Sequence, residues 1–317
     1  RYNKTKRFDA FAKLHDNLEH YKIPSNKLIY STSNLLEQYN YTSWCRDKNV
    51  PKSKRFQIVT LPFFACATQQ RGFFDYPDKP DLRDDPHNVL YQDHLNYKST
   101  FPIKLFNCLN RVQRTHRAPF VAMLNYYDLI DNNIVSHNIL ENHYEKSLSV
   151  SNWPDHPAFE DPNFTSIKNK LPLTYDMVDF NVNHAQNLNK TIYLETYVSV
   201  ISETLYEDWK PTVFFSEKIF KPVRAHHPFI LVCHHKALHW LKRLGFKTFD
   251  KWWDESYDEE SDPVKRMEMI CAVLKKLEKL STQDWYSLYN DMKKVLKHNY
   301  THLLETKWFQ GKYNEII

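Results

Sequence analysis

Residues 101–131 read FPIKLFNCLNRVQRTHRAPFVAMLNYYDLID, and the fold turns on how this stretch is understood. Ile103, Leu105 and Leu109 are spaced by twos and fours, the alternation of a strand. A basic turn follows, with Asn110, Arg111, Arg114, His116 and Arg117. From Ala118 to Asp131 the apolar residues recur at helical spacing. Strand, polar turn and helix alternate on either side of it as well. Upstream, residues 8–20 predict a helix, NKLIYSTSN (26–34) a short strand, and RFQIVTLPFFACA (55–67) a strand stopped by Pro62. Downstream, KTIYLETYVSVISET (190–204) predicts a strand ending near Glu203. A helix is predicted from about Glu217, a strand over PFILVC (228–233) and a helix over 235–246 closed by Gly245. Residues 263–305 carry a helical apolar stripe. The Pro-, Asp- and Asn-rich stretches 71–100 and 150–190 predict irregular structure. The alternation predicts an α/β fold.

Composition narrows the function classes. The chain has 317 residues, 42% hydrophobic and 26% charged, enough for two ordinary domains with buried cores. Only three glycines occur, Gly72, Gly245 and Gly311. That excludes a G-x-G-x-x-G fingerprint and a Walker A loop, so a bound nucleotide must be held by side chains and helix N-termini. The net charge of +5 suits an anionic ligand. Five scattered cysteines with no C-x-x-C pair predict reduced structural thiols. No apolar run reaches the length of a membrane span.

Two clusters carry the chemistry. Asn110, Arg111, Arg114, His116 and Arg117 lie where a strand meets a helix, the place where open α/β sheets bind ligands. Arginine pairs with phosphate bidentately, and a helix N-terminus favours anions. Three cations at a helix start are locally unfavourable, which is expected of a functional site, although a solvated basic turn accounts for them equally well. The second cluster is Ser216, Glu217 and Lys218. Ser216 suits an N-cap and Glu217 a first turn, whereas Lys218 is unexplained by helix chemistry. Glu203 is a carboxylate just past a strand end, structural or ligand-facing. His226, His227, His234 and His235 bracket a strand without finger-type spacing and predict packing rather than zinc. Glu255 and Tyr257 sit in an acidic aromatic turn.

The segments KLFNCLNRVQRTHR, VISET with FFSEKIFKPVRAHHPFI, and LKRLGFKTFDKWWDESYDEESD together resemble a glycosyltransferase-like family common in phage and other viral genomes. The resemblance covers about residues 104–262. The Ser-Glu-Lys helix is also similar to the donor helix of GT-B fucosyltransferases, where Thr-Glu-Lys follows an aromatic. The resemblance implies a GT-B-like pair of Rossmann-like domains facing a central cleft, with a helical C-terminal tail. The acceptor-side domain would span 1–100, the nucleotide-sugar domain 101–290, and a helix at 291–317 would cross back. It implies Glu217 for the ribose and Lys218 for the diphosphate, with Asn110, Arg111, Arg114, Arg117, Glu203 and Ser216 completing the donor site. A hexosyl group would pass from a UDP- or GDP-linked sugar to a hydroxyl, with no cofactor or metal. Asp75 and His116 are the base candidates, beside Asp78 and Asp81. The expected acceptor is a 5-hydroxymethylated pyrimidine such as hydroxymethylcytosine in double-stranded viral DNA, in the cytoplasm of an infected cell; the alternatives are a glycan acceptor, a non-catalytic α/β protein that binds nucleic acid or a nucleotide, or another α/β enzyme with the same phosphate-binding turns, such as a sulfotransferase. The Gly-rich donor loop usual in GT-B enzymes is missing.

Overall fold

The computed structural model describes residues 9–69, 88–101, 103–111, 114–137, 156–159, 188–206 and 212–308, with Ile167, Asn169, Lys170 and Leu173 between them. The chain is mixed α/β with parallel sheets, and it forms two compact units. The first comprises residues 1–66, 208–214 and 307–317, and the second comprises 67–207 and 215–306.

In the first unit, α1 (Ala10–His20) is capped by Asp9, which accepts from Ala12 N. Strands β1 (Ile29–Thr32) and β2 (Gln57–Thr60) pair in parallel across α2 (Glu37–Asp47), in the register Ile29 with Gln57. Their core is aromatic: Phe11, Tyr41 and Phe56 pack with Cys45 and Ile58, and the Tyr41 and Phe56 rings stack 4.2 Å apart. Asn34 and Leu35 are stitched to Val213, through Leu35 N to Val213 O at 2.9 Å and Val213 N to Asn34 Oδ1 at 3.0 Å. The expected strand over 55–67 ends at Thr60. Pro62 stops it, and Phe63 opens α3 (Phe63–Gln69).

Among the described residues the second unit holds a four-stranded sheet, β3 (Lys104–Asn110), β4 (Ile134–His137), β5 (Thr196–Ser202) and β6 (Phe229–Val232), in the order β4-β3-β5-β6. All three pairings are parallel. Every residue of β5 is buried, so helices and loops cover both faces of the sheet, as parallel sheets require. The helix α5 (Arg117–Tyr126) follows β3. It stops short of the expected Asp131 because Asp128 turns left-handed (φ 53°) and Leu129 N reaches back to Leu124 O at 2.8 Å.

Two further elements depart from the sequence expectation. α4 (Tyr91–Lys98) lies inside the stretch expected to be irregular. The residues 190–194, β-branched and aromatic, form the helix α6 (Lys190–Leu194) instead of the start of a strand. The cause is tertiary. The buried ammonium of Lys98 takes the carbonyls of Tyr193, Leu194 and Thr196 and lies over the rings of Tyr197 and Tyr289. A cation at a helix C-terminus satisfies carbonyls that would otherwise be left unpaired.

After β5, α7 (Glu217–Arg224) leads into β6, and α8 (Ala237–Arg243) follows. α7 ends with His226 in the left-handed region (φ 47°). Glycine is the usual residue there; His226 offsets the strain by bonding Val89 O at 3.0 Å and stacking on Tyr300 at 4.2 Å. The tail is two helices, α9 (Pro263–Leu277), capped by Asp262, and α10 (Thr282–Glu305), opened by a Ser281–Asp284 capping box. Gly245 ends α8 at φ +95°, and a Cβ there would lie 2.6 Å from the His302 ring, which is itself bonded to Leu244 O. Gly245→Ala is therefore expected to cost about 2 kcal/mol, from left-handed strain and the clash together; a denaturant midpoint within error of the parent's would contradict this packing.

Candidate functional site

In the second unit the crossovers diverge. From β3 the chain moves to β4 on one side, and from β5 to β6 on the other. The C-terminal ends of β3 and β5 therefore flank a topological switch point, where open parallel sheets leave a crevice. Asn110 ends β3, Glu203 directly follows β5, and Ser216 opens α7. The two clusters singled out in the sequence thus lie on one edge of one sheet.

Hydrogen bonds tie these elements together. The Arg117 guanidinium, buried at the start of α5, donates through Nη2 to Ser202 O at 2.8 Å and Glu203 O at 3.4 Å. Burial lowers its pKa to about 10, with Glu203 pulling the other way, so it remains a cation at neutral pH. The Glu203 carboxylate is fully buried. It accepts from Ser216 N at 3.2 Å, Ser216 Oγ at 2.6 Å and Thr204 N at 3.0 Å. Burial raises its pKa, while Lys218 and these donors oppose the rise. Of the two roles open to it in the sequence, the clasp on the α7 cap is the one it fills.

Ser216 caps α7 by accepting from Lys218 N at 3.4 Å. The same oxygen accepts from Lys218 Nζ at 3.0 Å, and Glu217 Oε1 takes that ammonium at 2.9 Å. Desolvation acts to raise the Glu217 pKa, but Lys218 and Lys221 outweigh it and hold the carboxyl below its usual range. Lys218 and Glu217 are only partly buried, with 28% and 23% of their side-chain surfaces exposed. Both therefore reach solvent from a fixed position on the first turn. Arg111 and Arg114 are exposed after β3. The edge thus presents cations to solvent at two strand-to-helix turns.

His116, expected as a base candidate, is placed otherwise. It is 1% exposed, with Nε2 3.2 Å from Ser202 Oγ and its ring stacked on Tyr206 at 5.0 Å. Burial, then the neighbouring Arg117, hold its pKa well below 6.5. This is a neutral histidine whose ring is engaged by Ser202 and Tyr206. Asp75, Asp78 and Asp81 lie outside the described residues. Glu255 is likewise inward: it accepts from Thr248 Oγ1 at 2.6 Å and Phe249 N at 2.8 Å, and burial pushes its pKa up to about 7. Tyr257 is buried beside it. The histidine run is spent on packing, with His227 on Ser199 Oγ and Thr196 O, and His235 on Glu259 O. All five cysteines are buried and unpaired.

Two residues at this edge escaped the sequence reading. Thr204 supports both Glu203 and Lys218, the latter at 3.5 Å. His137 closes β4; the short apolar run Ile134–Val135 ahead of it was the signal for a strand end there. Among the described residues no group of three or more His, Cys, Asp or Glu is arranged to hold a metal ion, and no helix is long and apolar enough to cross a membrane. Comparison of the chain with family models, curated proteins and solved structures finds no match.

Proposed function

We propose that the chain is a glycosyltransferase of GT-B type, moving a hexosyl group from a nucleoside diphosphate sugar to a hydroxyl. The observation that carries the reading is Lys218. Its ammonium is held by Ser216 and Glu217 at the N-terminus of α7, on the sheet edge that also presents Arg111 and Arg114. Fixed cations and helix N-terminal N–H groups suit a leaving diphosphate, because they stabilise charge as it develops without having to reorganise. Glu217 is suited to the ribose hydroxyls. In the transfer, the bond from the anomeric carbon to the diphosphate breaks, and the acceptor oxygen forms the new one. The acceptor proton passes to a base, for which Asp75 is proposed from the sequence. The proposed acceptor is a 5-hydroxymethylated pyrimidine of viral DNA, in keeping with the net charge of +5. An enzyme acting on a duplex base has to extrude it from the stack.

Calorimetry with UDP, GDP, CDP and ADP tests the donor site. One diphosphate is expected to bind, with Lys218→Ala and Arg114→Ala each weakening it about tenfold or more, the effect of losing a charge-assisted hydrogen bond. Binding that ignores both substitutions, or no binding by the parent, would sink the reading.

A further inference from the structure

Two buried side chains at the sheet edge have no task in the site described above. Asn110 closes β3 and His137 closes β4, and they are register partners in parallel strands, so their side chains leave the same face side by side. Asn110 is 1% exposed and His137 2%. Asn110 Oδ1 and both ring nitrogens of His137 make no hydrogen bond. Asn110 Nδ2 points to Cys108 Sγ at 3.3 Å, a weak acceptor. Buried polar groups are nearly always paired, since an unpaired one bears its full desolvation penalty. Three unpaired atoms on two adjacent residues, at the edge where such sheets bind ligands, call for a partner brought by a ligand.

The chemistry of that partner follows from the pair. Burial, reinforced by the Arg117 cation, lowers the His137 pKa to about 4, so the ring is neutral near pH 7. A neutral imidazole offers one donor and one acceptor, and a carboxamide oxygen only accepts. Phosphate needs donors and positive charge, so this pair does not suit it. Hydroxyl groups both donate and accept, and suit it well. Position along the edge agrees. The strands run β6-β5-β3-β4; the proposed ribose contact, Glu217, follows β5, and the arginines proposed for the diphosphate follow β3. What lies beyond the diphosphate, toward β4, is the transferred sugar.

We propose that Asn110 and His137 form the sugar subsite, with hexosyl hydroxyls pairing to Asn110 Oδ1 and to the His137 ring. The inference rests on the glycosyltransferase reading and adds to it a specificity site. Both groups are sealed from solvent, so the sugar reaches them by displacing what covers them. Pairing then relieves a penalty that the free chain already bears.

The experiment compares plain nucleotides with their sugar conjugates by calorimetry, using UDP, GDP, UDP-glucose, UDP-galactose and GDP-mannose. The parent is expected to bind one conjugate about ten- to a hundredfold more tightly than its nucleotide. His137→Phe and Asn110→Ala are each expected to remove that preference, and His137→Phe is expected to keep the affinity for the plain nucleotide. His137→Gln, which retains a donor and an acceptor, is expected to keep part of it. Thermal unfolding identifies a variant that fails to fold, in which case the other substitution carries the test. A preference retained in the folded variants overturns the inference, as does a parent that binds nucleotide and conjugate equally. A parent that binds no nucleotide sinks the glycosyltransferase reading itself, which is a different failure.

Discussion

Acidification below about pH 6.5 is expected to lower the stability of the second unit. His94, His116 and His227 have pKa values well below 6.5 because they are buried, and His226 and His137 are also lowered, His137 to about 4. In the unfolded chain each titrates near 6.5. Below that pH the unfolded state binds protons that the folded state refuses, so stability falls as pH falls, by at most about 1.4 kcal/mol per histidine per pH unit. Three carboxyls act in the opposite sense. Burial raises Glu203, Asp258 and Glu255, the last to about 7. Over their window the folded state holds protons that the unfolded state releases, and acidification favours folding. His302 is lowered as well, so six histidines oppose the three raised carboxyls, and the net direction below about pH 6.5 is a loss of stability. Circular dichroism across an acid titration reads this directly. A stability that stays flat from pH 7 to 5 would mean that the buried imidazoles accept protons in place, contrary to their packing.

Glu203→Ala is expected to be the most damaging single substitution at the site, costing about 3 kcal/mol. It strands three donors at once, Ser216 N, Ser216 Oγ and Thr204 N, in a place with no solvent to replace the carboxylate. It also frees the cap of α7 and with it the oxygen that steadies Lys218. Ser216→Ala should cost less, about 1 kcal/mol, the usual value of an N-cap. Chemical denaturation of the two variants separates the contributions. Equal losses would show that Glu203 works only through Ser216. A Glu203→Ala chain as stable as the parent would show that the carboxylate is not held as described.

Much of the second unit's architecture was legible because its strands are short apolar runs with clear stops. β3, β6 and the Ser216 cap fall within a few residues of where periodicity and capping chemistry put them. What escaped had non-local causes. α6 looks like a strand in composition, and the Lys98 ammonium that takes the carbonyls at its end is supplied from another helix. α4 was hidden among prolines and aspartates that predict loops. At the site, sequence placed the two basic clusters together but could not say which members face outward. Arg117 and Glu203 turn inward to hold backbone and cap, whereas Arg111, Arg114 and Lys218 remain in contact with solvent. Orientation of that kind depends on the packing of both faces of β5, which no local pattern encodes.

The first unit draws on three separated segments, and its Asn34–Leu35 turn is closed by Val213. A ribosome delivers residue 66 long before residue 213, on the order of ten seconds earlier at common translation rates. Through that interval the nascent first segment carries an aromatic core but lacks the strand of backbone that closes its turn. The second unit's sheet is already complete in β3, β4 and β5 by the time Val213 emerges, lacking only β6. Folding of the first unit therefore runs against the order of synthesis: its leading segment is made before the second unit, yet the turn at Asn34 and Leu35 closes only once Val213 has followed.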